Sequence, residues 1–191
     1  EYSTLLKREY MLLGTKYNLE NRQLHQSQWR FLRLRPANFP TIRLAQLAAL
    51  LIQKQSIFSS IVDTVSYEEL YKRLSVKQSA YWQTHYQFGK PVERVPYLGK
   101  SSIQNLIINT AIPVLVAYGI RQDDQQYMEH ALDWLQHLPA EKNTIIHQWS
   151  GLGLKIKTAF DSQALIELYN TYCLKRRCLD CTIGTSLVKP S

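Results

Sequence analysis

Apolar positions along the chain recur mostly at helical spacing. Tyr2, Leu5, Leu6, Tyr10 and Leu13 predict a first helix, with Gly14 as its stop. Residues 17–29 are polar and irregular and predict a loop, from which an arginine-rich arm starts at Arg30. After Asn38-Phe39-Pro40-Thr41 the pattern changes sharply. Asn38 or Thr41 can cap a helix, and Pro40 suits a first turn, where its missing N–H costs nothing. Leu44, Leu47 and Leu51 make one apolar stripe; Ile42, Ala45, Ala49 and Ile52 make another. Arg43, Gln46 and Gln53 form the only polar line between them. A helix apolar nearly all round belongs inside a domain, so residues 41–54 are expected to form a buried central helix.

Residues 56–74 predict one or two short helices, the second starting at Ser66. Residues 79–99 hold Tyr81, Trp82, Tyr86, Phe88 and Tyr97 among turn residues and predict an ordered loop packed by its own rings. Ser101 caps a second buried helix, expected over 102–119. The run from Ile103 to Ile120 approaches the length of a membrane span. Gln104, Asn105, Asn109, Thr110 and Pro113 argue instead for a core helix kinked by proline, with no membrane partner. Asp123 and Asp124 open another helix, which Pro139 ends. Residues 144–149 add a turn or two, and Asp161 caps a last helix from Ser162 to about Leu174. No alternating strands stand out, although residues 154–160 read as a short extended piece. The expectation is an all-α, single multi-helix globular domain over residues 1–180, with a C-terminal tail over 181–191. Because the chain begins at Glu1 inside a helical pattern, it reads as a C-terminal fragment of a longer chain.

Composition sharpens this picture in two places. A net charge of +8 and a pI near 9.4 favour anionic partners such as DNA, RNA, acidic protein or lipid. The alternative is a dispersed lysine surplus. The odd count of 3 cysteines, all between Cys173 and Cys181, is unlike a secreted disulfide framework and points to a reducing, cytoplasmic setting. No signal peptide is read.

Several local patterns bear on chemistry. Gly99-Lys100-Ser101-Ser102 looks like the end of a phosphate-binding loop, but Arg94 stands where the first glycine belongs and no strand precedes it. His130, Asp133 and His137 share one side of a helix and read as a solvated face ahead of a metal site. Gly151-Leu152-Gly153 is a glycine helix stop before it is a DNA-binding hairpin, because its spacing to Thr158 is too long for one. Cys173-x4-Cys178-x2-Cys181 is the sharpest signal, since thiolates this close can hold Zn²⁺ or an Fe–S cluster. It resembles the cysteine loop of endonuclease III-like glycosylases, but lacks a fourth cysteine; His147 is a candidate substitute. Alternatively, Cys173 is a small buried hydrophobe and only Cys178 and Cys181 are paired or free.

Two basic clusters remain. Arg30, Arg33, Arg35 and Arg43, beside Trp29 and Phe31, suit phosphate contact and base stacking. Lys175, Arg176 and Arg177 lie inside the cysteine loop. The competing reading makes the arginines internal glue around the central helix, and Arg43 in particular a buried organiser that needs a partner. No catalytic constellation is visible.

The strings RFLRLRPANFPTIRLAQLAALL, YWQTHYQFG, LGKSSIQNLIINTAIPVLVAYG and AFDSQALIELYNTYCLKRRCLDCTIG resemble the C-terminal half of a Bacteroidetes family, domain of unknown function 2851, over essentially all 191 residues. That resemblance implies full-length members about twice as long, whose N-terminal part is similar to a nuclease-type α/β domain. It transfers no catalytic residue here. It makes DNA or RNA, and the N-terminal domain of the same full-length protein, the natural partners of a basic helical half. The expected function is therefore nucleic-acid binding through Arg30, Arg33, Arg35, Lys175, Arg176 and Arg177, or support of such a nuclease-like domain. The alternatives are a protein-interaction module with its arginines used internally, and a Zn or Fe–S domain held by Cys173, Cys178 and Cys181.

Overall fold

Helix α1 (Tyr2–Lys16) runs through Gly14 instead of stopping there, because the space beside that glycine is open. The computed structural model describes residues 1–31, 35, 38–53 and 56–188. Among these, helices dominate: α2 (Pro40–Gln53), α3 (Ile57–Val62), α4 (Tyr67–Leu74), α5 (Ala80–Gln83), α6 (Lys100–Leu106), α7 (Ile112–Gln122), α8 (Gln126–His137), α9 (Thr144–Gly151), α10 (Ala159–Leu168) and α11 (Thr182–Val188). The expected all-α class is the one observed. The segment expected as a tail is largely α11. The chain forms two compact units, Glu1–Ile57 with Arg73–Lys100 and Phe58–Lys72 with Ser101–Ser191. Each is assembled from two stretches of sequence, so no single linker separates them and no boundary is legible in composition.

In the first unit, Ile42 and Ala45 of α2 pack with Trp82 and Val95, flanked by Tyr2, Tyr81, Tyr86 and Val92. The aromatic loop contributes a small hairpin that the sequence pattern did not reveal. Strand β1 (His85–Gln87) pairs antiparallel with β2 (Lys90–Pro91), turning at Gly89 with φ 67°. Strands this short carry too few residues to show alternation. Buried Gln78 stitches the loop: its side-chain nitrogen donates to the carbonyls of Pro96 (3.3 Å) and Trp82 (3.4 Å), and its backbone carbonyl accepts from the Gln83 side-chain nitrogen (2.9 Å).

Helix α2 departs from expectation on one side. Ile42, Ala45, Gln46 and Ala49 are buried, but Leu44, Leu47 and Leu51 are 48%, 46% and 56% exposed. At 3.6 residues per turn Leu51 lies opposite Ile42, so the two stripes cannot meet the same neighbour. Only the Ile42 side meets Trp82 and the hairpin.

All but the first residue of Lys100–Gln122, one 23-residue helix, belongs to the second unit; the helix is long and apolar enough to cross a membrane by length and composition, with 39% of its most apolar stretch buried. Its buried stripe runs through Ile103, Ile107, Ile108, Ala111, Ile112, Leu115 and Gly119. The expected proline kink takes the form of a π turn, Ile107–Ala111, where the Ile112 N–H reaches back five residues to Ile107. Pro113 has no N–H for Asn109, and widening the ladder just before it accommodates that loss. Helix α8 crosses α7 at Gly119, where a Cβ would lie 2.9 Å from that of Tyr127. Trp134 is fully buried and its indole N–H donates to the Val65 carbonyl at 3.2 Å. Thr158, not Asp161, caps α10: its hydroxyl accepts from the Asp161 N–H, and the Asp161 carboxylate accepts from the Thr158 N–H. A lone bridge between Pro139 and Thr158 is what remains of the expected extended piece.

Candidate nucleic-acid interface

Aromatic rings fix Phe31 beside the start of α2 and the hairpin. Phe31 meets Phe39 edge-on at 5.3 Å, Phe39 meets Tyr86 of the hairpin at 5.8 Å, and the Thr41 hydroxyl donates to the Tyr86 carbonyl at 2.6 Å. On either side of this anchor Arg30 and Arg35 are exposed, and the Arg35 carbonyl accepts from the Asn38 N–H at 2.8 Å. Arg33 lies outside the described residues. Arg43 is different in kind. It is half-buried, and its guanidinium donates to the Gln46 side-chain oxygen (2.9 Å) and to that of Asn38 (2.6 Å). Burial holds its pKa below the ordinary arginine value, because these neutral partners bring no countercharge. Arg43 thus organises the start of α2.

Charge divides unevenly between the units. On the full sequence the first unit has 14 Lys and Arg against 4 Asp and Glu, a net of +10. The second has 9 against 11, a net of −2, and the two nets make the chain's +8. Carboxylates in the first unit are Glu1, Glu9, Glu20 and Glu93, all exposed. Its cations outnumber them more than three to one, so ion pairing within the unit leaves most of them uncompensated. Lys77 and Arg94 sit 5.6 and 5.8 Å from the Tyr97 ring centre, a cation–aromatic cluster that sequence reasoning missed. Lys77 lies 17 positions before Arg94 in the chain, so nothing local signals that the two meet.

The second basic cluster sits in the nearly neutral unit. Lys175 and Arg176 are exposed, with Arg176 at φ 54°. Arg177 is exposed as well but engaged: its Nε donates to the Asp180 carboxylate at 2.9 Å and its guanidinium lies over the Tyr172 ring at 5.9 Å. The cysteines around it are free, Cys173 and Cys178 exposed and Cys181 buried. Among the described residues no three His, Cys, Asp or Glu side chains are grouped as a metal would need, these three thiols and His147 included. The loop is instead a tight packing element. Gly184 of α11 presses on the Cys178 carbonyl so closely that no Cβ fits.

His130 and His137 do not join a ligand set either. His137 Nδ1 lies 3.2 Å from the Asp133 carboxylate and 2.9 Å from the Asp133 carbonyl. The hydrogen bond to that carbonyl, then the carboxylate charge, raises its pKa above the usual imidazole value. Gly153, at φ 88°, ends the turn after α9, as expected for a glycine stop.

No curated protein and no solved structure matches the chain. A family model does, over residues 1–144. That span takes in the whole first unit and part of the second, whereas the string from Ala159 to Gly184 lies beyond it. The chain belongs to the family described as Protein of unknown function (DUF2851).

Proposed function

We propose that the first unit binds the phosphate backbone of nucleic acid, with Arg30 and Arg35 as contacts on the ring-anchored arm. The observation that carries this reading is the partition of charge: 14 Lys and Arg against four carboxylates on one unit, a net of +10. Phosphates release counterions when such a surface binds them, so affinity follows salt. Lys175 and Arg176 are secondary candidates, because their unit is net negative and Arg177 beside them is already engaged by Asp180. On the same reading, the basic unit would hold a strand for a catalytic domain of a longer chain.

The test is fluorescence anisotropy with labelled DNA and RNA over a salt series. Log affinity should fall linearly with log salt, by about 0.7 to 0.9 per phosphate neutralised. Arg30→Ala with Arg35→Ala should reduce that slope by about two contacts, and Lys175→Ala should change it less. Absence of binding to either polymer at low salt overturns the reading. The internal hydrogen bonds of Arg43 and the Arg177–Asp180 pair favour a second reading, a protein-interaction module whose arginines organise the fold. That reading expects Arg30→Ala and Arg35→Ala to lower thermal stability and leave nucleic-acid affinity unmoved.

A further inference from the structure

The loop of the β1–β2 hairpin is an uncommon place for a phenylalanine. The two residues between the paired Gln87 and Lys90 are Phe88 and Gly89, and the first of these positions ordinarily holds a small or polar turn residue. Phe88 is 48% exposed. Its ring is nevertheless held from behind. It meets Trp82 edge-on at 5.1 Å and lies tilted to Tyr81 at 6.2 Å, and the Gly89 N–H donates to the Tyr81 hydroxyl at 3.1 Å. Tyr81 is itself fixed, stacked on Tyr2 at 4.2 Å and on His85 at 4.0 Å. Contact with Trp82 explains an apolar residue at this position. It does not explain why half of a firmly held ring is left in water.

Cations share the segment. Lys90 follows the loop directly and is exposed. Lys77 and Arg94, also exposed, gather at Tyr97, whose hydroxyl donates to the side chain of Gln83 at the end of α5 (3.4 Å). Tyr86, two residues before Phe88, touches Phe39, which touches Phe31 beside Arg30. The hairpin that receives the rings next to Arg30 thus also presents a bare aromatic face.

We infer that Phe88 stacks on an unpaired base, so that the polymer taken by the first unit is single-stranded. This rests on the phosphate-binding reading above and narrows it. In a duplex each base face is covered by its neighbours, and only edges and phosphates are on offer. A single strand exposes base faces, and an aromatic ring accepts any of them. A ring already held in place loses little freedom when it does so. Charge alone favours the duplex, whose phosphates are more densely spaced, so a preference for the single strand reports stacking.

Fluorescence anisotropy on the 191-residue chain tests this, with a labelled oligonucleotide free of self-complementarity, alone and annealed to its complement, as DNA and as RNA. The single strand should bind more tightly than its duplex. Phe88→Leu keeps an apolar cover over Trp82 and removes the aromatic face. It should weaken single-strand binding at least about fivefold and leave the slope of log affinity against log salt unchanged, since no phosphate contact is lost. Phe88→Trp should retain the wild-type affinity. Near-UV circular dichroism checks that Trp82 stays packed in both variants. A duplex bound as tightly as the single strand overturns the inference, as does single-strand binding that Phe88→Leu does not move. A loss in Phe88→Trp as deep as in Phe88→Leu assigns the ring to packing and overturns it too. In these three cases the phosphate-binding reading stands; failure to bind either form at low salt overturns both.

Discussion

The two units reach stability by different routes, and the contrast shows what each is free to do. The second is held internally. Trp134 is fully buried and hydrogen-bonded, Gly119 and Gly184 let backbones approach closely, and its charges nearly cancel. The first has a small aromatic core, leaves the leucine stripe of α2 and the face of α1 uncovered, and carries a net of +10. Cations at that density repel one another, a cost that an anionic partner would relieve. The difference between the units is therefore mainly one of charge, since bare large apolar side chains occur on both, Ile120, Leu152 and Leu187 among them on the second.

The comparison breaks most visibly at the buried tryptophans. Trp134→Ala should cost about 3–5 kcal/mol in urea unfolding, by the cavity and the orphaned Val65 carbonyl. Trp82→Ala in the first unit should cost about 3–5 kcal/mol as well, because the small core has no second large side chain at that place. A loss under about 1 kcal/mol at Trp134 would mean that the second unit is not organised around it.

The two sides of α2 give the next largest difference. Ile42→Ala should cost about 2–5 kcal/mol and Leu44→Gln less than about 0.5 kcal/mol, measured by the same unfolding. Equal losses would show that the leucine stripe is covered in solution. Removing the α10 cap, Thr158→Ala, should cost about 1 kcal/mol.

The smallest effects are those of pH. The folded-state pKa of His137 is raised, so its contribution is fully present below the unfolded imidazole value and fades as pH rises through the folded one. Asp161 runs the other way. Backbone hydrogen bonds from Thr158 and Lys157 lower its pKa, so its contribution is present above the unfolded carboxylate value and is lost as pH falls through the folded one. His137→Gln should flatten the neutral-range slope of melting temperature against pH, and Asp161→Asn the acid-range slope. A slope unchanged by either substitution removes that pair from the account.

Much of the fold was legible in the sequence because its causes are local. Pro40 at the start of α2, the spacing of Tyr127, Ala131 and Trp134 in α8, and the glycine stop after α9 all follow from neighbours a few residues away. The site was legible only as residue types. Arg30, Arg35 and Arg43 look alike in the chain, but the bonds to Asn38 and Gln46 make Arg43 an organiser and leave the other two outside. Likewise Cys173, Cys178 and Cys181 have ligand spacing without ligand geometry, because the chain turns through Arg176 and packs Cys178 against Gly184.

By itself, then, the sequence determined the helical class, the family and the basic character of the chain, all of which depend on local periodicity, composition or sequence likeness. The tertiary structure decided which stripe of α2 is covered and which is bare. It also decided that 11 of the 15 Asp and Glu residues fall in one unit, leaving the other with a large cationic surplus. Periodicity shows that a helix has an apolar face but not what lies against it. Net charge is a sum along the chain, whereas its partition depends on contacts between residues far apart in sequence.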